Sequence, residues 1–154
     1  MSTQYIEVTQ DFPAPVAQVF TELTDHVKFG QLLNTNISRI LDGERGFKNG
    51  LGSVRKISPA PFLSFEERVV KFEPNELMEY IVSRGSPIKN HVGRMEFSAI
   101  DNSKGQDHTR VHYTIRFEPK LSIPMLGGVL KKAIETPIKQ GFSRLAKQYA
   151  QQGG

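Results

Sequence analysis

The chain has 154 residues, 38% hydrophobic and 23% charged, proportions that predict one globular domain over residues 1–154 and exclude a disordered chain. Twenty Lys and Arg against sixteen Asp and Glu leave a formal charge of +4, spread among acidic residues along most of the sequence. No aromatics alternate with the lysines and no nucleic-acid motif occurs, so nucleic acid is not an expected partner. There is no cysteine, which excludes disulfides, thiol nucleophiles and thiolate metal sites. With no long apolar run and no leader-like start, the expectation is a cytoplasmic protein with no integral membrane association.

Tyr5 to Phe12 alternates as a strand, with Ile6, Val8 and Phe12 on one side, and Pro13-Ala14-Pro15 stops it. Pro15 suits the first turn of a helix, and Val16, Val19, Phe20 and Leu23 carry helical spacing to about Thr24. A second short helix is expected over His26 to Leu33. Six strands then follow: Ile37–Leu41, Ser53–Ile57, Phe62–Phe72, Leu77–Arg84, Lys89–Ile100 and Thr109–Lys120. The last two form a long hairpin about a turn at 101–105. Short turns between successive strands predict an antiparallel sheet.

Pro124 to Gln152 reads as one long amphipathic helix. Leu126, Leu130, Ile134, Ile138, Phe142, Leu145 and Tyr149 recur at steps of four and three, with most lysines on the other side. Its apolar partner must be the sheet. Pro137 and Gly141 interrupt the stripe, and Pro137 removes a helical hydrogen bond, so a kink is expected there. Ala133, Pro137 and Gly141 form a small-residue stripe that suits either close packing or a mobile border to a cavity.

Strand phase selects inward faces. Val111, Tyr113, Ile115 and Phe117 share one side of the last strand. His91, Gly93, Met95 and Phe97 share one side of its predecessor. Met78, Tyr80 and Val82 point in together, and Arg84 continues their phase. Phe62–Phe72 keeps no single parity, as a bulge or two-sided burial would cause.

This order, with particular residues, resembles a known family. The cues are Phe12 through Phe20 with the Asp25 that closes the first helix, Gly50-Leu51-Gly52-Ser53-Val54-Arg55, Glu67-Arg68-Val69 through Phe72-Glu73-Pro74, and Leu77 with Tyr80. They are similar to the polyketide cyclase/dehydrase branch of the START-like, helix-grip superfamily (SRPBCC), which includes the Bet v 1 type allergens. The resemblance implies an α+β fold: a seven-stranded curved antiparallel sheet around a long C-terminal helix, two short helices after the first strand, and an internal cavity. It also implies a small hydrophobic ligand, such as a lipid, quinone or polyketide, and in some members an enzyme.

The expected ligand-binding residues are Met78, Tyr80, Arg84, His91, Met95, Tyr113, Phe117, Ile134, Ile138 and Phe142. His91 can hydrogen-bond a carbonyl or exchange protons at neutral pH, or cap backbone groups at a sheet end. Arg84 can pair with an anionic oxygen or face solvent. Tyr80 and Tyr113 offer an apolar ring with one hydroxyl, or plain packing. Glu66 and Glu67 stand open between a buried base and an exposed ion pair. No metal or cofactor is expected: His108 and His112, four apart on a strand, are about 13 Å apart. Gly50-Leu51-Gly52 lacks the rest of a dinucleotide fingerprint.

Three functions follow. The first is a carrier or binder of a small apolar molecule. The second is a cyclase or dehydratase using His91, Arg84 or a tyrosine. The third is an interaction module whose basic helix face makes weak peripheral contact with a membrane or an acidic partner.

Overall fold

A computed structural model of the chain describes residues 3–101 and 107–152. β1 (Gln4–Phe12) is followed by α1 (Val16–Thr24) and α2 (His26–Leu33). Next come β2 (Asn36–Leu41), β3 (Val54–Ala60), β4 (Leu63–Glu73), β5 (Leu77–Arg84), β6 (Ile88–Asp101) and β7 (Asp107–Pro119), then α3 (Leu126–Gln152). The strands form one curved antiparallel sheet in the order β1-β7-β6-β5-β4-β3-β2, so the first strand lies beside the last. Of the turn expected at 101–105, Asp101 is the last residue of β6 and the rest lies outside the described residues; the flanking strands pair from Asp101 and Asp107 onward.

Local chemistry sets the helix boundaries. Pro15, at φ −62°, precedes α1, and Asp25 is extended where α1 gives way to α2. The Asp25 carboxylate accepts the Lys28 N–H at 3.0 Å, which satisfies one open donor of the first turn of α2. Asn34 ends α2 in the left-handed region at φ 59°.

The sheet places its apolar face under α3. Val111, Tyr113, Ile115 and Phe117 of β7 are all buried, as are Met95, Phe97 and His91 of β6. Pairing in β6 shifts between Lys89 and Val92, where Asn90 takes φ 52°. This bulge turns Ile88, not Lys89, to the inside. In β4, Phe65, Glu67 and Val69 keep one parity until the register shifts between Val69 and Lys71, after which Phe72 takes the inward place. That bulge accounts for the mixed phase of the β4 sequence.

Two ends of the interior differ. At one end the aromatic rings are packed together: Phe12 lies 5.7 Å from Phe142 and 6.1 Å from Tyr149, and Phe20 lies 4.9 Å from Phe97. The second half of α3 belongs here, with Ile138, Phe142, Leu145 and Tyr149 buried. Gly141 allows its close approach to α2, since a Cβ there would sit 2.9 Å from the Leu32 carbonyl oxygen. In the first half of α3, Leu130 and Ile134 are only half-buried.

Candidate functional site

Beneath that first half lies a cavity of about 280 Å³. Its walls are mostly apolar: Phe29 and Leu33 from α2, Ile37, Ile57 and Phe65 from β2–β4, Ile115 from β7, and Leu130, Ala133, Ile134, Pro137 and Ile138 from α3. It reaches the surface beside the exposed residues Pro59, Leu63, Pro87 and Ala133. Ala133 and Pro137 of the small-residue stripe border the cavity, whereas Gly141 serves packing.

One wall is polar. Arg55 of β3 and Glu67 of β4 are cross-strand partners, only 2% and 8% exposed. Arg55 Nε donates to Glu67 Oε1 at 2.8 Å, and Nη2 lies 2.8 Å from the same oxygen. The guanidinium also sits 4.4 Å from the Tyr80 ring centroid and 5.1 Å from that of Phe29, a cation–π sandwich. A buried pair of this kind costs desolvation that excellent geometry must offset.

Behind it, His26 is fully buried, with Nδ1 3.5 Å from Arg55 Nη1 and Nε2 2.8 Å from Ser53 Oγ. Arginine only donates, so Nδ1 accepts and Nε2 carries the proton toward the serine. Burial, followed by the Arg55 cation, brings the His26 imidazole from its ordinary 6.5 down to about 2, so it stays neutral.

His91 faces the cavity and also caps the sheet. Pairing between β5 and β6 ends at Tyr80–Gly93, and the Val82 N–H beyond it donates to His91 Nδ1 at 3.1 Å. The proton of neutral His91 is therefore on Nε2, 3.9 Å from Glu67 Oε2 and too far for a direct hydrogen bond. Burial lowers the His91 pKa, with Glu67 opposing and Arg55 adding, so the contact is not an ion pair at neutral pH.

Tyr80 of β5 and Tyr113 of β7 touch through their hydroxyls across the intervening β6. Gly93 of β6 makes this possible: a Cβ there would lie 2.2 Å from Tyr80 Cζ. Burial pushes both phenols above their ordinary value, so both remain protonated donors.

Of the residues expected at a ligand, Tyr80, His91, Tyr113, Ile134 and Ile138 line this cavity together. Met78, Met95, Phe117 and Phe142 do not line it and are fully buried core side chains. Arg84 is exposed, contrary to the inward phase expected of it. The cause is the loss of β5–β6 pairing beyond Tyr80, together with the β4–β5 register shift at Glu66–Glu67. Sequence reasoning missed Arg55, Glu67 as its partner, and His26. The available signal was parity, since Arg55 shares a phase with Ile57, and Glu67 shares one with Phe65 and Val69.

A curved antiparallel sheet gripping a long helix above a cavity defines the START-like, helix-grip class of protein. The chain belongs to the family described as polyketide cyclase / dehydrase and lipid transport, whose model matches residues 3–150. Among solved structures it is similar to the Zhui aromatase/cyclase of a Streptomyces species, at 13% identity and TM-score 0.78, covering 99% of this chain and 97% of that one. A START superfamily protein from Mycobacterium smegmatis matches at 16% identity and TM-score 0.73, covering 94% and 97%. Norcoclaurine synthase from Thalictrum flavum matches at 11% identity and TM-score 0.67, covering 96% and 88%. These likenesses show the fold. No curated protein matches the chain.

Proposed function

We propose that the chain holds one small, largely apolar molecule in this cavity, as a carrier or binder, with its polar end against the wall of Arg55, Glu67, Tyr80, His91 and Tyr113. The observation that carries the reading is the concentration of polar groups on one wall of an otherwise apolar chamber, the usual build of a small-molecule site. The cavity volume suits a ligand of one or two fused rings or a short acyl chain. Native mass spectrometry of protein purified from its own host tests this. The expected result is a retained apolar molecule of defined mass, which also raises the melting temperature when added back. Empty protein with no thermal shift across lipids, quinones and aromatics would overturn it.

A second reading, a cyclase or dehydratase, is favoured by the same wall. Glu67, His91 and the two tyrosines place a carboxylate, a neutral imidazole and two O–H donors on one chamber. An aldol-type ring closure followed by loss of water needs only proton transfers, which such groups supply. His91→Ala separates the two readings. Lost turnover of a poly-β-carbonyl probe with binding retained identifies an enzyme, whereas absence of turnover in the unaltered protein leaves the binder.

A further inference from the structure

The Tyr80–Tyr113 contact is chemically incomplete. Two hydroxyls carry two protons, and the bond between them uses one. Among the described residues, no third side chain or carbonyl accepts from either oxygen. Arg55, the nearest strong polar group, can only donate. Both rings line the cavity, both are almost wholly buried, and the Tyr80 ring is fixed by the space at Gly93. The remaining proton is available to an acceptor in the cavity that both residues line.

The charges around the pair limit what that acceptor can be. The Arg55 cation is taken up by Glu67, and His91 is neutral. Arg84, which could have met an anion, is outside. A carboxylate entering the cavity would lose its water, find no free cation, and lie near the Glu67 carboxylate, a costly combination. A neutral carbonyl oxygen meets none of these penalties and accepts the spare proton.

We propose that Tyr80 and Tyr113 form a two-hydroxyl donor site for the carbonyl oxygen of a neutral, otherwise apolar ketone, and that the cavity rejects the matching carboxylates. This rests on the reading of the cavity as a small-molecule site and specifies the polar end of its ligand. One hydroxyl donates to the ligand, and the other donates to the first, strengthening it as a donor. Gly93 is the positioning residue, since any side chain there displaces the Tyr80 ring.

Three probes on one ring system test the proposal: acetylnaphthalene, ethylnaphthalene and naphthoate, titrated into the full chain at neutral pH. The ketone is expected to bind about three- to tenfold tighter than the hydrocarbon, the ratio one net neutral hydrogen bond gives. Naphthoate is expected to bind at least about tenfold more weakly than the ketone. The bound ketone's carbonyl stretch shifts to lower frequency in the unaltered protein. Tyr80→Phe and Tyr113→Phe keep the rings: loss of the hydroxyl that meets the ligand is expected to remove most of the shift and of the ketone's advantage, loss of the other to reduce them, and the double variant to remove both, with ethylnaphthalene binding unchanged. Equal binding of ketone and hydrocarbon overturns the donor site and leaves the cavity reading intact. So does an advantage that survives in the double variant Tyr80→Phe/Tyr113→Phe, or naphthoate as the tightest probe. If none of the three binds, both fall. The probe comparison on unaltered protein needs no variant to fold.

Discussion

The two halves of α3 are the same helix on the same sheet, and they do opposite things. From Ile138 to Tyr149 every fourth or third residue is an apolar side chain, with Phe142 and Tyr149 fitted among rings of β1 and β7. From Leu130 to Pro137 the same periodicity covers empty space. Hydrophobic periodicity therefore specifies which face turns inward, and side-chain volume on the opposing strands decides whether that face meets protein or a chamber. Here the rings of Phe12, Phe142 and Tyr149 meet one another at the filled end, whereas at the hollow end Ile37, Ile57, Ile115 and Ile134 border the chamber.

Truncation should expose that contrast most strongly. Phe142→Ala, which removes a fully buried ring stacked on Tyr113 at 5.9 Å, is expected to cost about 3–5 kcal/mol in urea unfolding. Ile134→Ala, beside existing space, is expected to cost about 1 kcal/mol. Equal losses would erase the distinction between the halves.

The polar wall provides the next largest effect. Arg55→Met strands the Glu67 carboxylate and is expected to cost about 3–5 kcal/mol, most of it recovered in the double variant Arg55→Met/Glu67→Leu. A double variant no better than the single one would show that the guanidinium's ring contacts, not the charge, hold the wall.

Acid should loosen the hollow end through its histidines. The folded-state pKa of His26 lies near 2, below its ordinary 6.5. Between those values only the unfolded chain takes the proton, so stability is complete above about 6.5 and declines as pH falls through the window, by up to about 1.4 kcal/mol per unit. His91 is shifted the same way and adds to the slope. Chemical denaturation at several pH values should show the decline, and His26→Gln should flatten it.

Smaller effects bear on α3 itself. Pro137→Ala restores a donor to the Ala133 carbonyl and is expected to slow release of a fluorescent naphthalene probe in stopped-flow measurements. A change in melting temperature alone would assign Pro137 to packing. At the filled end, the Tyr149 hydroxyl is buried without a partner, and burial pushes its pKa up to about 12. Tyr149→Phe is expected to be neutral or to stabilise by less than about 1 kcal/mol.

The order of elements and the inward phases of β6 and β7 were legible because an apolar/polar alternation survives wherever one face is buried. Most element ends fall within a few residues of the expected ones. The polar wall was not legible in the same way. Glu67 stood open between a buried base and an exposed ion pair, Arg55 and His26 carried no site role, and the burial of all three exists only because β3, β4 and α2 bring them together. Arg84 shows the converse: a phase extrapolated along β5 fails once its partner strand parts from it. The place of Met78, Met95, Phe117 and Phe142 in packed core depends on which neighbouring rings fill the space, and no local pattern records that.

Asn90 has a consequence for how such a chamber could diversify. Its left-handed φ of 52° is tolerated by asparagine and opposed by β-branched residues. Asn90→Val would push β6 toward an unbroken strand, turning Lys89 to the position that Ile88 holds on the chamber wall. The wall would gain a positive charge although none of its own residues had been replaced. The lining of this chamber is thus partly set by strand register, since one residue outside the wall decides which of two neighbouring side chains, Ile88 or Lys89, faces it.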